Sequence, residues 1–344
     1  MKLGALATLL FAAALPNPPA NAQDTIDVAS YGGVYQDALR KAFYDPTEKR
    51  LGLKIEDHTL AGIADLRTQV KANAVEWDVV ELYSGQCQQA ADEGLIEPLD
   101  YNIITNTKGI PAELVKPHWV GFTVYSTVLA WNKNVYKTPP QGWADFWDIR
   151  KFPGTRALNG TNLYTNSEIA LLADGVTSEK IYPVDLDRAL RKLEEIRPAV
   201  TAWWLTGAEA AQLALDQKAD MLPIWVARIE AAIAQGAPYA FTYNQAIMDV
   251  ECLVVPKGAP HKELAMKAIN SFLDPELQAD ILKYVSYGPA NRHAYDTGKV
   301  SKEMMERSNT SPENYKKHHL HNKDHWTEHH HRSHELWDRF IQKK

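Results

Sequence analysis

The chain has 344 residues, of which 45% are hydrophobic and 23% charged, and a formal net charge of −6. This is the composition of an ordinary folded protein with room for one large or two medium domains. The modest acidic balance argues against a nucleic-acid partner and against an anionic membrane surface.

Met1 and Lys2 precede an apolar run over 3–15 that is too short to span a bilayer, for which about 20 residues are needed. Pro16, Pro18 and Pro19 follow, and then Ala20-Asn21-Ala22, small residues of the kind a signal peptidase reads. This order predicts a secretory signal peptide over 1–22, cleaved after Ala22, and a periplasmic mature chain. No Cys follows the leader to carry a lipid, and no later segment reaches membrane-spanning length without charges. The two cysteines, Cys87 and Cys252, can pair in an oxidising compartment or stand as small buried residues, and spacing leaves both open.

The first third alternates strands with amphipathic helices. Strands are expected over 26–30, 54–58 and 77–82, and helices over 35–44, 64–74 and 86–93, the last closed by Gly94. This is the pattern of a parallel sheet covered by helices. Residues 119–132 form a β-branched and aromatic run long enough to cross between domains. A second α/β unit follows, with strands at 157–159, 200–205, 219–225 and 239–243 and helices at 143–148, 186–197, 207–216 and 227–234. A strand over 247–255 then returns to the first unit, and helices are expected over 261–273 and 275–285. The expected division is lobe 1 at 23–128 and 248–344, with the C-terminal helices, and lobe 2 at 129–247. In such α/β units ligands bind beyond the C-terminal ends of the strands, here the cleft between the lobes.

Motifs spread over nearly the whole mature chain carry a resemblance. They include Ser30-Tyr31-Gly32-Gly33-Val34-Tyr35-Gln36, Trp77-Asp78-Val79-Val80-Glu81, Trp143-Ala144-Asp145-Phe146-Trp147-Asp148 with Phe152-Pro153-Gly154, Val255-Pro256-Lys257-Gly258-Ala259-Pro260 and Tyr287-Gly288-Pro289-Ala290-Asn291. In this order they resemble the extracellular solute-binding proteins of ABC importers, and within them the spermidine/putrescine-type group. The resemblance implies a two-lobed type II periplasmic-binding-protein fold with two hinge crossings. It also implies a small-molecule ligand, delivery to a membrane permease, a monomer, and neither enzymatic activity nor a cofactor.

A polyamine needs carboxylates for its ammonium groups and aromatic faces for its methylenes. In the resembled group a Trp-x-Asp sequence supplies both where the chain returns. Here Ile247-Met248-Asp249 keeps the Asp and lacks the Trp. The expected ligand-binding residues are Tyr31 and Gly32 in the first Gly-rich turn, Glu81 and Tyr83 at the end of the third strand, Trp204 and Trp225 at second-lobe strand ends, and Asp249. Ser84 is expected to cap the next helix. Glu168 lies where the group often places a second acidic contact, but its surrounding sequence differs. Arg228, close to Trp225, favours a carboxylate on the ligand. A small amine-bearing solute is therefore the expected ligand. An amino acid derivative, opine or organic acid is the alternative, and a metal-binding importer subunit is a second one.

Eight of the twelve histidines fall between His318 and His334. On a helix His321/His325, His325/His329 and His330/His334 are i,i+4 pairs that suit a metal. A terminal amphipathic helix burying Trp326, His330, Trp337 and Ile341 accounts for the same residues, and no metal ligand is assigned. The sequence contains no Gly-x-Ser-x-Gly elbow, phosphate loop or His-Glu-x-x-His motif of an enzyme.

Overall fold

Two unusually long strands set the architecture. In the computed structural model, which describes residues 24–342, β4 (Val120–Asn132) has 13 residues and β8 (Tyr239–Val254) has 16. At about 3.3 Å per residue they span roughly 40 and 50 Å, enough to serve two sheets. They run antiparallel from Val120 opposite Leu253 to Asn132 opposite Tyr239.

The other strands line up along the two edges of this pair. On the β8 side lie β1 (Thr25–Ser30), β2 (Lys54–Thr59) and β3 (Val79–Tyr83). On the β4 side lie β5 (Arg156–Asn159), β6 (Val200–Trp204) and β7 (Met221–Trp225). The resulting order is β2-β1-β3-β8-β4-β7-β5-β6. Two short strands complete the edges: β9 (Gly288–Pro289) on β4 and β10 (His319–Leu320) on β8. The chain is thus two-lobed, with β4 and β8 as its two crossings.

Packing follows the lobes. A core of Val80, Leu82, Cys87, Trp119 and Cys252 lies under the helices of the first lobe. Another runs from Ile26 and Leu39 through Phe122 to Ile224 and Ile229, along both lobes. A third joins Trp131, Trp143, Phe146 and Leu193 of the second lobe to Trp326, Trp337 and Phe340. The C-terminal helix His330–Gln342 therefore closes over the second lobe, although the chain reaches it from the first. Trp337 Nε1 donates to Gly160 O at 3.0 Å, and Trp203 meets Trp337 edge-on at 5.6 Å.

Three sequence expectations differ from the structure. The strands expected at 239–243 and 247–255 are one strand, β8, interrupted by a bulge where the register jumps between Thr127 and Leu129. Gln245 takes φ +60 there, and its Oε1 and O accept from Trp143 N and Nε1. A polar Asn-Gln pair in a strand reads locally as a turn, whereas Trp143 stabilises it as a bulge. The helix Tyr164–Ala173 has no expected counterpart, and its continuously apolar second half hides any 3.6-residue period. At the C-terminus His321 follows β10 and precedes the helix Lys323–Glu328, so His321/His325 is not a one-face helical pair. Among the described residues no group of three or more His, Cys, Asp or Glu is arranged to hold a metal ion. The expected leader at 1–22 lies outside the described residues.

Cys87 and Cys252 are joined in a disulfide between the first-lobe helix Ser84–Asp92 and β8, with Cα atoms 6.6 Å apart. The bridge closes a separation of 165 residues. Loops of this length lose the most chain entropy when cross-linked, so Cys87→Ser/Cys252→Ser should cost about 3–5 kcal/mol of stability. Urea unfolding of the two forms checks this, and coincident midpoints would contradict it.

Candidate functional site

Register brings the acidic residues together. Across β3 and β8, Tyr83 stands opposite Glu251 and Glu81 opposite Leu253. Across β4 and β8, Thr123 stands opposite Glu251 and Tyr125 opposite Asp249. Opposed residues share a face of the sheet, and successive residues alternate. Glu81, Tyr83, Thr123, Tyr125, Asp249 and Glu251 therefore share one face, and Leu82, Val124, Met248, Val250 and Cys252 share the other.

On the first face the carboxylates are held by hydroxyls. Ser30 Oγ donates to Glu81 Oε2 at 2.6 Å, and Tyr35 OH donates to Glu81 Oε1 while lying 2.7 Å from Thr123 Oγ1. Asp249 accepts from Ser84 Oγ at 2.7 Å and from Tyr125 OH at 2.9 Å. Ser84 thus ties the first helix position to Asp249 and makes no capping bond, contrary to the expected cap. Glu251 is buried, and its Oε2 has no hydrogen-bond partner among the described residues.

Three carboxylates in one buried patch change each other's chemistry. Burial, opposed in part by the Ser30 and Tyr35 hydrogen bonds, pushes the Glu81 carboxyl up to about 7. Burial and then the charges of Glu81 and Asp249 push Glu251 well above the usual carboxylate range. The same burial and charges raise the phenols of Tyr31, Tyr35 and Tyr125, so these rings stay protonated donors.

The second lobe supplies the facing wall. Tyr125 meets the half-buried Trp225 edge-on at 6.4 Å, and Trp225 meets Trp204 edge-on at 5.6 Å. Trp204 is buried with its Nε1 unpartnered among the described residues. Trp203, the next residue on the opposite face, packs on the C-terminal helix instead. Arg228, at the start of the helix Val226–Ala234, lies against Trp225 over Gly207, where a Cβ would come within 2.7 Å of the Trp225 ring and 3.0 Å of Arg228 Nε. Across the cleft, a Cβ at Gly33 would meet Arg228 Nη1 at 3.6 Å. Arg228 has no carboxylate partner among the described residues, and its charge acts on the Tyr287 phenol.

Six of the seven expected residues fall in this region. Tyr31 OH accepts from Tyr83 N at 3.1 Å, which binds the first turn to the end of β3. Glu81, Tyr83 and Asp249 share the acidic face, and Trp204 and Trp225 form the wall. Gly32 differs: its N donates to Gln36 Oε1, and a Cβ would run into Thr59 at 2.9 Å. At φ +70 it shapes the turn and offers no open surface. Sequence reasoning missed Glu251, Tyr35, Tyr125 and Tyr287. Glu251 was within reach, because it lies two residues beyond Asp249 and must share its face. Glu168 is not in this patch. It is fully buried in the second lobe, accepts from Trp326 Nε1 at 2.7 Å and from Tyr182 OH, and lies 2.8 Å from His321 Nδ1.

Comparison with known proteins decides the family. The profile described as "Bacterial extracellular solute-binding protein" matches residues 47–306. The chain belongs to the bacterial extracellular solute-binding proteins. A γ-aminobutyric acid-binding protein of Pseudomonas aeruginosa is 34% identical over 317 residues, covering 89% of this chain and 86% of that one. Among solved structures, an ABC transporter substrate-binding protein from Bradyrhizobium japonicum has a TM-score of 0.90 at 37% identity, covering 93% of this chain and all of that one. The binding protein MotA of A. tumefaciens, solved in complex with glucopine, has a TM-score of 0.84 at 34% identity, covering 92% of this chain and 99% of that one. This solute-binding protein captures a small molecule for an ABC permease and is not an enzyme.

Proposed function

We propose that the cleft binds a small zwitterion, an ω-amino acid or amino acid derivative, with its amine at Asp249 and its carboxylate at Arg228. One observation carries this reading. A guanidinium and a carboxylate that each form no ion pair among the described residues stand on either side of Tyr125, Asp249 acting only at longer range on the His321 imidazole. Leaving either charge unpaired in a closing cleft is costly, and a ligand of matching polarity relieves both. Glu251 and Glu81 lie behind Asp249 and add negative potential for an amine. Tyr125, Trp225 and Tyr31 offer apolar faces for the carbon skeleton, with the buried Trp204 backing Trp225. The γ-aminobutyric acid and glucopine relatives lend support, and export by a leader at 1–22 is part of the proposal. Delivery to a permease as a monomer whose lobes close at β4 and β8 completes the proposal.

A linear polyamine remains the second reading, because Asp249, Glu251 and Glu81 form an acidic patch suited to ammonium groups. Arg228 opposes it, since a second ammonium would meet a guanidinium. Thermal shifts with γ-aminobutyrate, putrescine and succinate separate the readings. At about 100 times its dissociation constant a ligand stabilises by about 2.7 kcal/mol, a shift of several degrees. The proposal expects a shift with γ-aminobutyrate and little with the others. A shift with putrescine alone would overturn it.

Amine binding should also depend on pH. Burial pushes the Glu81 carboxyl up to about 7 and moves Glu251 in the same direction, so acidification protonates the acids behind Asp249 and their pull on an ammonium is lost. Affinity for γ-aminobutyrate should fall roughly three- to tenfold from pH 8 to pH 6, with proton release on binding. Calorimetry in two buffers of different ionisation enthalpy reads both effects. An affinity constant across that range would remove the two glutamates from the account.

A further inference from the structure

The reverse face of the crossing strands bounds a cavity of about 130 Å³. Its floor is Val124, Met248 and Val250, which alternate with Tyr125, Asp249 and Glu251 and so point away from the cleft. Leu114, Ala290 and Tyr315 close over this floor. The mouth is charged. Lys323 has a side chain only 12% exposed, with its ammonium 5.3 Å from the Trp119 ring centroid and 3.9 Å from Asp324 Oδ1. It donates no hydrogen bond to any acceptor among the described residues. Arg292, over the Tyr315 ring at 4.9 Å, has no carboxylate partner among them either. Of the acids at the lining, Glu113 is exposed and Asp249 is engaged by Ser84 and Tyr125.

We propose that this cavity is a second ligand site for a small apolar monocarboxylate, with its ring or branched chain on the Val124–Met248–Val250 floor and its carboxylate on Lys323, beside Arg292. The size fits, since apolar cavities of about 150 Å³ take up benzene. The charge fits because a mostly buried ammonium without an acceptor is a standing cost that a carboxylate removes through a charge-assisted hydrogen bond. A sugar or a dianion would bury polar groups against the apolar floor with no partners. The cavity adjoins the cleft at Ser84 and Asp249, which line it too, while its apolar floor and Lys323 lie on the reverse face of the β4–β8 pair; the proposal does not depend on which solute the cleft takes.

Benzoate is the probe, titrated into the purified protein and followed by calorimetry and ligand-observed NMR. Saturable binding is expected, weakened at least tenfold by Lys323→Met and unchanged by Arg228→Met. Benzyl alcohol, which has the same ring and no charge, should bind the unaltered protein at least tenfold more weakly, a comparison that does not depend on how any variant folds. Absence of saturable binding at millimolar benzoate would overturn the proposal. So would binding that Arg228→Met abolishes and Lys323→Met spares, which would assign the benzoate to the cleft.

Discussion

Arg228→Met should lower the affinity for γ-aminobutyrate at least thirtyfold, and Asp249→Asn at least tenfold, with the empty protein melting within a few degrees of the original. A charge-assisted hydrogen bond contributes about 1.5–3 kcal/mol, and truncating one partner of a desolvated charge pair costs about 2–5 kcal/mol. Arg228 has the larger expected effect because it is the only cation the described structure offers at that wall. Asp249→Asn removes the charge and turns one of the two accepting oxygens into an amide donor, so either Ser84 or Tyr125 must turn its hydroxyl to accept. Both effects are read by calorimetry, with thermal unfolding of the empty variants as the check on folding. Unchanged affinity in Arg228→Met would leave the ligand's acidic end without a partner and return the weight to a purely cationic solute.

Glu168→Ala should destabilise the protein by about 3–5 kcal/mol without a direct effect on the ligand patch. Removing Glu168 leaves Trp326 Nε1 and Tyr182 OH without their acceptor and His321 without its charge partner, and breaking a buried pair on one side is expensive. These groups fasten the C-terminal segment to the second lobe, so its release should appear first as faster proteolysis near 319–342. The pair also has a pH signature. Burial alone would lower the His321 imidazole, but the Glu168 charge and then that of Asp249 hold it up at about 9. Burial alone would raise Glu168, but His321 and then His319 hold it below the usual carboxylate range. A histidine raised from 6.5 to about 9 contributes stability that is complete below 6.5 and lost as pH rises through 9. A depressed glutamate contributes stability that is lost on acidification below its ordinary range. The difference in melting temperature between the protein and Glu168→Gln should therefore be largest near pH 6 and shrink by pH 9.5. A difference of the same size at both pH values would mean that the pair is not ionised as described.

Much of this was legible in the sequence, and the exceptions have physical causes. The helix Leu186–Ile196 is placed within a residue or two because it buries one clear face, and β1, β3 and β7 because they are short, largely buried runs. The extended reading of 119–132 holds because β-branched and aromatic residues crowd a crossing strand that is buried along nearly its whole length. The bulge at Gln245 was not legible, because its cause is Trp143, about a hundred positions away in the chain. Asp249 stood out through a resemblance. Glu251, two residues on, reads as a strand residue unless alternation is carried through from Asp249. Its neighbours Tyr35, Tyr125 and Tyr287 come from three separate segments that only the β3–β8–β4 register brings together. Glu168 shows the reverse, since it occupies a position suggestive of ligand contact yet serves the C-terminal clamp. The Cys87–Cys252 link rests on the same register, which brings the helix after β3 up to the third residue beyond Asp249.

The most direct test of the zwitterion account is a crystal structure of the protein grown with γ-aminobutyrate. The account predicts the ligand in the cleft beside Tyr125, its ammonium within hydrogen-bond distance of the Asp249 carboxylate and its carboxylate on the Arg228 guanidinium. A ligand bound with neither group engaged, or with its carboxylate turned toward Asp249, would contradict it.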